Sequence, residues 1–261
     1  MVRHVTTRPR EAAGLRGNQF HRCHHSRLQL VQAASQLETL LSAAPEEGFR
    51  ERPLLEWFGA ATERMALLAH AGGHVYPTHV ARELMLDDMR TDFAILSVPD
   101  FEDAAPRLLL VECQGARANT LFEQRGRQLK HWGQDFLDGF GQLVDWDCFS
   151  DVAGRNQRVA SLVAHCRRPL EVSYLLVAGL RKFSMDALSV ERLHFWSKTL
   201  RLGAHFQIRR FDDVAVDAQN WIQQALWVGP TVEGVRPDTA HLPGIERAFP
   251  SVGGRGSLKL L

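Results

Sequence analysis

What the chain lacks narrows the reading first. None of its 261 residues falls in an apolar run approaching the ~18–20 positions needed to span a bilayer, so no membrane contact is expected. Cys23, Cys113, Cys148 and Cys166 are its only cysteines, and they form no CxxC pair and no secreted-type framework. A reducing cytoplasm is the expected setting, with Cys113 and Cys148 as small buried hydrophobes. No internal repeat is visible. The N-terminus has no apolar signal segment; it is Arg-rich and acid-poor, as transit peptides are, but without a convincing amphipathic pattern. Net charge is only +1, so bulk charge announces no nucleic-acid partner. Its distribution is uneven, however. Residues 1–28 hold Arg3, Arg8, Arg10, Arg16, Arg22 and Arg27 against the single acid Glu11. Such a basic arm can contact phosphates, or it can be a solvated terminus without a fixed role.

What is present reads as one core with extensions. Residues 1–27 are expected as a basic flexible arm. Apolar positions at helical spacing predict a helix over 28–44 and a second over 53–71, with Pro53 in its first turn and Gly72-Gly73 ending it. These two make an N-terminal helical region, 28–72, which packs on the core or on a partner subunit. Residues 73–228 form the core domain, and 229–261 a Pro/Gly-rich tail. Within the core the predicted order is a strand at 91–98, a strand at 108–114, a long helix over 119–146, a strand at 172–178, a helix over 189–202, a strand at 205–211 and a helix beginning at Asp212. That order describes an α/β fold, a mixed sheet with helices on its faces.

The chemistry sits on the first two strands. Each is an apolar run carrying acids that a buried strand does not normally tolerate. Residues two apart on a strand share a face, so Glu112 and Gln114 lie on one side with Leu108 and Leu110. If the strands pair, Asp92 sits near Glu112. Two carboxylates at the end of a hydrophobic sheet offer hard oxygens to Mg²⁺ or Mn²⁺, the core of a metal-dependent phosphodiester hydrolase. Gln114 can orient a water through its amide but can neither take a proton nor supply positive charge. Glu83, on the preceding element, is a candidate further metal ligand. Arg125, Arg127, Lys130 and His131 on the long helix are candidate phosphate contacts, against the alternative of a solvated helix face. His21-Arg22-Cys23-His24-His25 carries ligand types in close succession but lacks the second segment that a zinc site uses.

The stretch from Thr91 to Trp146 resembles the PD-(D/E)XK nuclease superfamily, and more narrowly the Shedu-type (DUF4263) nucleases of bacterial anti-phage defence. The resemblance rests on the TDFAIL strand, the LLLVECQG strand, and the segment from Thr120 to Trp146 ending in Gln142-Leu143-Val144-Asp145-Trp146. Weaker likeness extends over about Pro77 to Ala225. It implies a restriction-endonuclease-like fold and a metal-dependent DNA endonuclease acting as a homo-oligomer. Asp92 and Glu112 would then be metal ligands, and Gln142 would project from the long helix toward the site. Gln114 stands where that family carries Lys or Glu, the main departure. The alternative is a nuclease-fold module that no longer cuts and binds DNA or a protein partner. A third is an assembly protein driven by the first helices and the tail.

Overall fold

The structure is a computed structural model and describes residues 18–74, 76–124, 130–148, 151–199 and 206–227. In chain order it contains β1 (Phe20–Arg22), α1 (Arg27–Ser42), β2 (Gly48–Phe49), α2 (Glu51–Gly59), α3 (Thr62–Ala71), β3 (His79–Arg82), β4 (Met85–Leu86) and β5 (Met89–Arg90). There follow β6 (Phe93–Ser97), β7 (Arg107–Cys113), β8 (Ala116–Arg117), β9 (Phe122–Glu123), β10 (His131–Trp132), α4 (Gln134–Cys148), α5 (Val152–Arg155) and α6 (Gln157–Val163). The last elements are β11 (Glu171–Val177), α7 (Ala187–Thr199), β12 (Phe206–Arg209) and α8 (Phe211–Trp227).

A six-stranded mixed sheet runs in the order β1-β3-β6-β7-β11-β12. The first four strands are antiparallel to their neighbours; β7, β11 and β12 are mutually parallel. Helices cover both faces, as the alternation of strands and helices predicts. Among the described residues no helix is long and apolar enough to cross a membrane. β7 is apolar on both sides because both sides are covered. Leu109, Val111 and Cys113 face a core built with α1, α3 and α8, whereas Leu108 and Leu110 face one built with α4, containing Phe136, Leu143 and Trp146.

Local chemistry explains the element ends. Ser26 and Gln29 form a capping box that starts α1, and its buried residues Leu30, Ala33, Ala34, Leu37 and Leu41 keep a helical stripe against α8 and α3. The first three helices share an apolar core with α8 and the sheet, so they are part of the same packed body. The segment expected as an arm also contributes: Phe20–Arg22 pairs antiparallel with β3 at the sheet edge.

Three expectations change. The helix predicted over 53–71 is two helices. Ala61 is extended, with φ −154° and ψ 145°, and α2 begins earlier, at Glu51. The long helix predicted over 119–146 begins only at Gln134. Before it, β9 and β10 pair antiparallel, and Phe122 packs on Trp132, which stacks on Phe136 with centroids 4.3 Å apart. The aromatic spacing that reads as a helix face is a hairpin cluster. Gly133 forces the turn into α4, since a Cβ there would lie 2.2 Å from the Asn119 carbonyl oxygen and 2.4 Å from that of Thr120. Finally, Cys113 is buried as expected but Cys148 is exposed.

Candidate active site

β6 and β7 pair with Phe93 opposite Val111. Continuing that register by one residue sets Asp92 opposite Glu112. The ladder ends there, and the Asp92 side chain takes over from the backbone: its Oδ2 accepts from the Cys113 N–H at 2.8 Å. Asp92 thus stands at the mouth of the strand, one residue before β6. Glu112 is inside β7 and only 4% exposed, on the α4 face. Gln114 lies just past the strand, buried, its N–H donating to the Val177 carbonyl at 2.8 Å and its Nε2 to Glu112 Oε1 at 3.1 Å.

Helix α4 closes the site from above. Asp135, Gly139 and Gln142, spaced four and three apart, form one stripe of it. Gly139 permits a close approach, for a Cβ there would lie 2.8 Å from Gln114 Cγ and 2.9 Å from Leu176 Cδ1. Gln142 is largely exposed, yet its side chain hydrogen-bonds Glu112. The structure therefore brings Asp92, Glu112, Gln114 and Gln142 together.

The electrostatics are those of buried acids in company. Burial raises the proton affinity of Asp92; the Cys113 N–H opposes this, Glu51 adds to it, Arg90 opposes it, and Glu83 adds least. Burial likewise raises that of Glu112, reinforced by Asp92 and then Glu51, against the hydrogen bonds from Gln114 and Gln142. Glu51 itself is raised by burial and by Asp135. Sequence patterning alone does not single out Glu51. The available signal is an acid in the first turn of a helix, hidden because the apolar spacing predicts that helix from Pro53.

Glu83 borders the pair, its N–H donating to the Asp92 carbonyl at 2.9 Å, while the other candidates lie elsewhere. Glu83 has a left-handed backbone, φ 54°, and its carboxylate lies near the guanidinium groups of Arg82 at 3.9 Å and Arg90 at 4.0 Å. Lys130 donates to Asp186 at 2.7 Å, and that bond, with those from Ser189, holds the Asp186 carboxyl well below its usual range. His131 is on β10, not on a helix. With Glu123, Trp132, Gln134 and Leu137 it lines a cavity of about 330 Å³. Arg125 and Arg127 lie outside the described residues. In the His/Cys-rich segment, Cys23 Sγ contacts His25 Nε2 at 2.8 Å, and burial pushes its thiol up to about 12.

Among the described residues, no group of three or more His, Cys, Asp or Glu side chains is arranged to hold a metal. What exists is a pair of carboxylates with Glu51 nearby. That donor set fits Mg²⁺ or Mn²⁺ in one respect: such ions are commonly held by one or two carboxylates, with water and substrate phosphate completing the shell. No protein-family model matches the chain, and no curated protein matches it.

Proposed function

We propose that this chain is a metal-dependent DNA endonuclease with a restriction-endonuclease-like fold. One observation carries the reading: Asp92 and Glu112 stand opposite each other at the end of two antiparallel core strands, both with raised proton affinity. A protein holds two buried acids together at a cost in stability, and a divalent cation relieves that cost. Asp92 and Glu112 would hold Mg²⁺ or Mn²⁺. When bound, such an ion polarises a phosphodiester and lowers the pKa of attacking water.

The chain's own groups divide the rest. The Cys113 N–H fixes one oxygen of Asp92, leaving the other for a ligand. Gln114 and Gln142 fix Glu112 from two sides. Gln114 orients rather than transfers a proton, since an amide does not titrate. The likeness of Thr91–Trp146 to Shedu-type nucleases supports DNA as substrate, anti-phage defence as the role and a homo-oligomer as the working form.

A second reading rests on Gln114. Its amide is committed to Glu112 and carries no charge, which suits a module that binds DNA or a protein partner without cutting. Incubation of plasmid and linear DNA with Mg²⁺, Mn²⁺ or EDTA separates the two. The nuclease reading expects metal-dependent cleavage that Glu112→Ala loses. Binding without cleavage by the wild type favours the module.

A further inference from the structure

We propose that the outer face of α7 is the surface on which two copies of this chain associate, their α7 helices packing antiparallel about a twofold axis beside Phe195. The proposal stands on this helix and does not rest on the nuclease reading. One side of α7 is anchored. Leu193 is buried, and Trp196 meets Trp132 edge to face with ring centroids 5.7 Å apart. The Arg192 guanidinium lies 5.2 Å from the centre of the Phe122 ring and donates to the Lys130 carbonyl. These three residues hold the helix against the β9–β10 hairpin.

A second stripe faces outward. Leu188, Glu191, Phe195 and Lys198 follow one another at spacings of three, four and three, which on a helix is a single face. All four are exposed, Phe195 at 60% and Leu188 at 40%. Met185, just before the helix, is 66% exposed. Apolar residues scattered singly over a surface are ordinary, whereas a row of them marks an interaction site.

The charges on the stripe select the partner. Among the described residues neither Glu191 nor Lys198 has an ion pair. They stand two turns apart, about 10 Å along the axis, and so do not pair with each other. In an antiparallel pair of α7 helices with the twofold axis between His194 and Phe195, Glu191 of each copy comes opposite Lys198 of the other. The contact is made twice by symmetry, and the two Phe195 rings meet at the axis. That is an aromatic centre flanked by a polar rim. A stripe that answers its own charges when turned end for end fits a second copy of the chain; a lipid surface or a polyanion would leave Glu191 without a partner.

The test is sedimentation velocity of the full chain in low salt, from micromolar to millimolar concentration. The wild type is expected to pass from monomer to dimer. Glu191→Lys and Lys198→Glu each set like charges opposite one another and should weaken the dimer about 10-fold or more. Mixed together they should associate again, since one variant carries two positive charges on the stripe and the other two negative. Phe195→Ala should also weaken association by at least about 10-fold. All three positions are exposed, so the fold is not at stake. A wild type that stays monomeric throughout overturns the proposal, whatever else covers the stripe. So does a dimer that none of the variants weakens. A mixture no more associated than either variant alone overturns the antiparallel register. None of these outcomes bears on the Asp92–Glu112 site.

Discussion

Replacing Glu112 with Gln should make the metal-free protein more stable, which is the opposite of the usual result for a buried core position. Gln has the same shape and keeps an oxygen to accept from Gln114 Nε2. It removes the charge whose burial raises Glu112 and which in turn raises Asp92. One pKa unit corresponds to about 1.4 kcal/mol. Relief of one unit on each group therefore gives about 3 kcal/mol at pH 8, where the wild type must hold ionised or strongly perturbed acids. At about 2–4 °C per kcal/mol for a chain of this size, Tm in EDTA rises by about 6–12 °C. The sign follows from linkage. A carboxyl whose folded-state proton affinity is raised costs nothing below its unfolded pKa, about 4, and loses stability as pH climbs above it. The two proteins should converge toward pH 4 and separate toward pH 9. Adding Mn²⁺ at about 100 times Kd should stabilise only the wild type, by about 2.7 kcal/mol. Thermal melts across pH, in EDTA and in Mn²⁺, read all of this. A Glu112→Gln protein less stable than wild type in EDTA at pH 8, or an equal Mn²⁺ shift in both, would refute the account of the pair.

Asp92→Asn keeps an acceptor for the Cys113 N–H and removes one charge of the pair, so in EDTA at pH 8 it should exceed wild-type stability while losing the Mn²⁺ shift; Asp92→Ala leaves that N–H unpaired, which should cost about 1–3 kcal/mol relative to Asp92→Asn. Glu51→Gln removes a charge that raises both members of the pair, so the Mn²⁺ shift should appear at lower pH than in wild type; an unchanged onset would count against Glu51 as a neighbour of the site. Gly139→Ala places a methyl 2.8 Å from Gln114 Cγ and should displace that amide from Glu112, costing about 1–3 kcal/mol by overpacking and slowing cleavage further than the stability loss explains. Equal cleavage by the two proteins would show that Gln114 does not need its observed position.

What could be read from the sequence, and what could not, divides along a physical line. The pairing of β6 with β7 follows from the hairpin-like connection between them, the shared face of Glu112 with Leu108 and Leu110 from a strand's period of two, and the buried β11 from a short continuous apolar run. Helix ends are another matter. The break between α2 and α3 falls at Ala60-Ala61, residues that favour helix, with Gly59 ending α2 and Ala61 extended before α3. In 119–136 the spacing of Phe122, Trp132 and Phe136 fits a helix face and a hairpin cluster equally well, and Gly133 decides between them only once Asn119 and Thr120 are seen against it. Placing the starts of α2 at Pro53 and of α4 at 119 hides Glu51, a first-turn acid that raises both members of the pair, and Asp135, a first-turn acid that raises Glu51. The strands place Asp92, Glu112 and Gln114, and their geometry is local. The helix starts bring Glu51 and Asp135 to the strand ends, and that geometry exists only after the chain has folded.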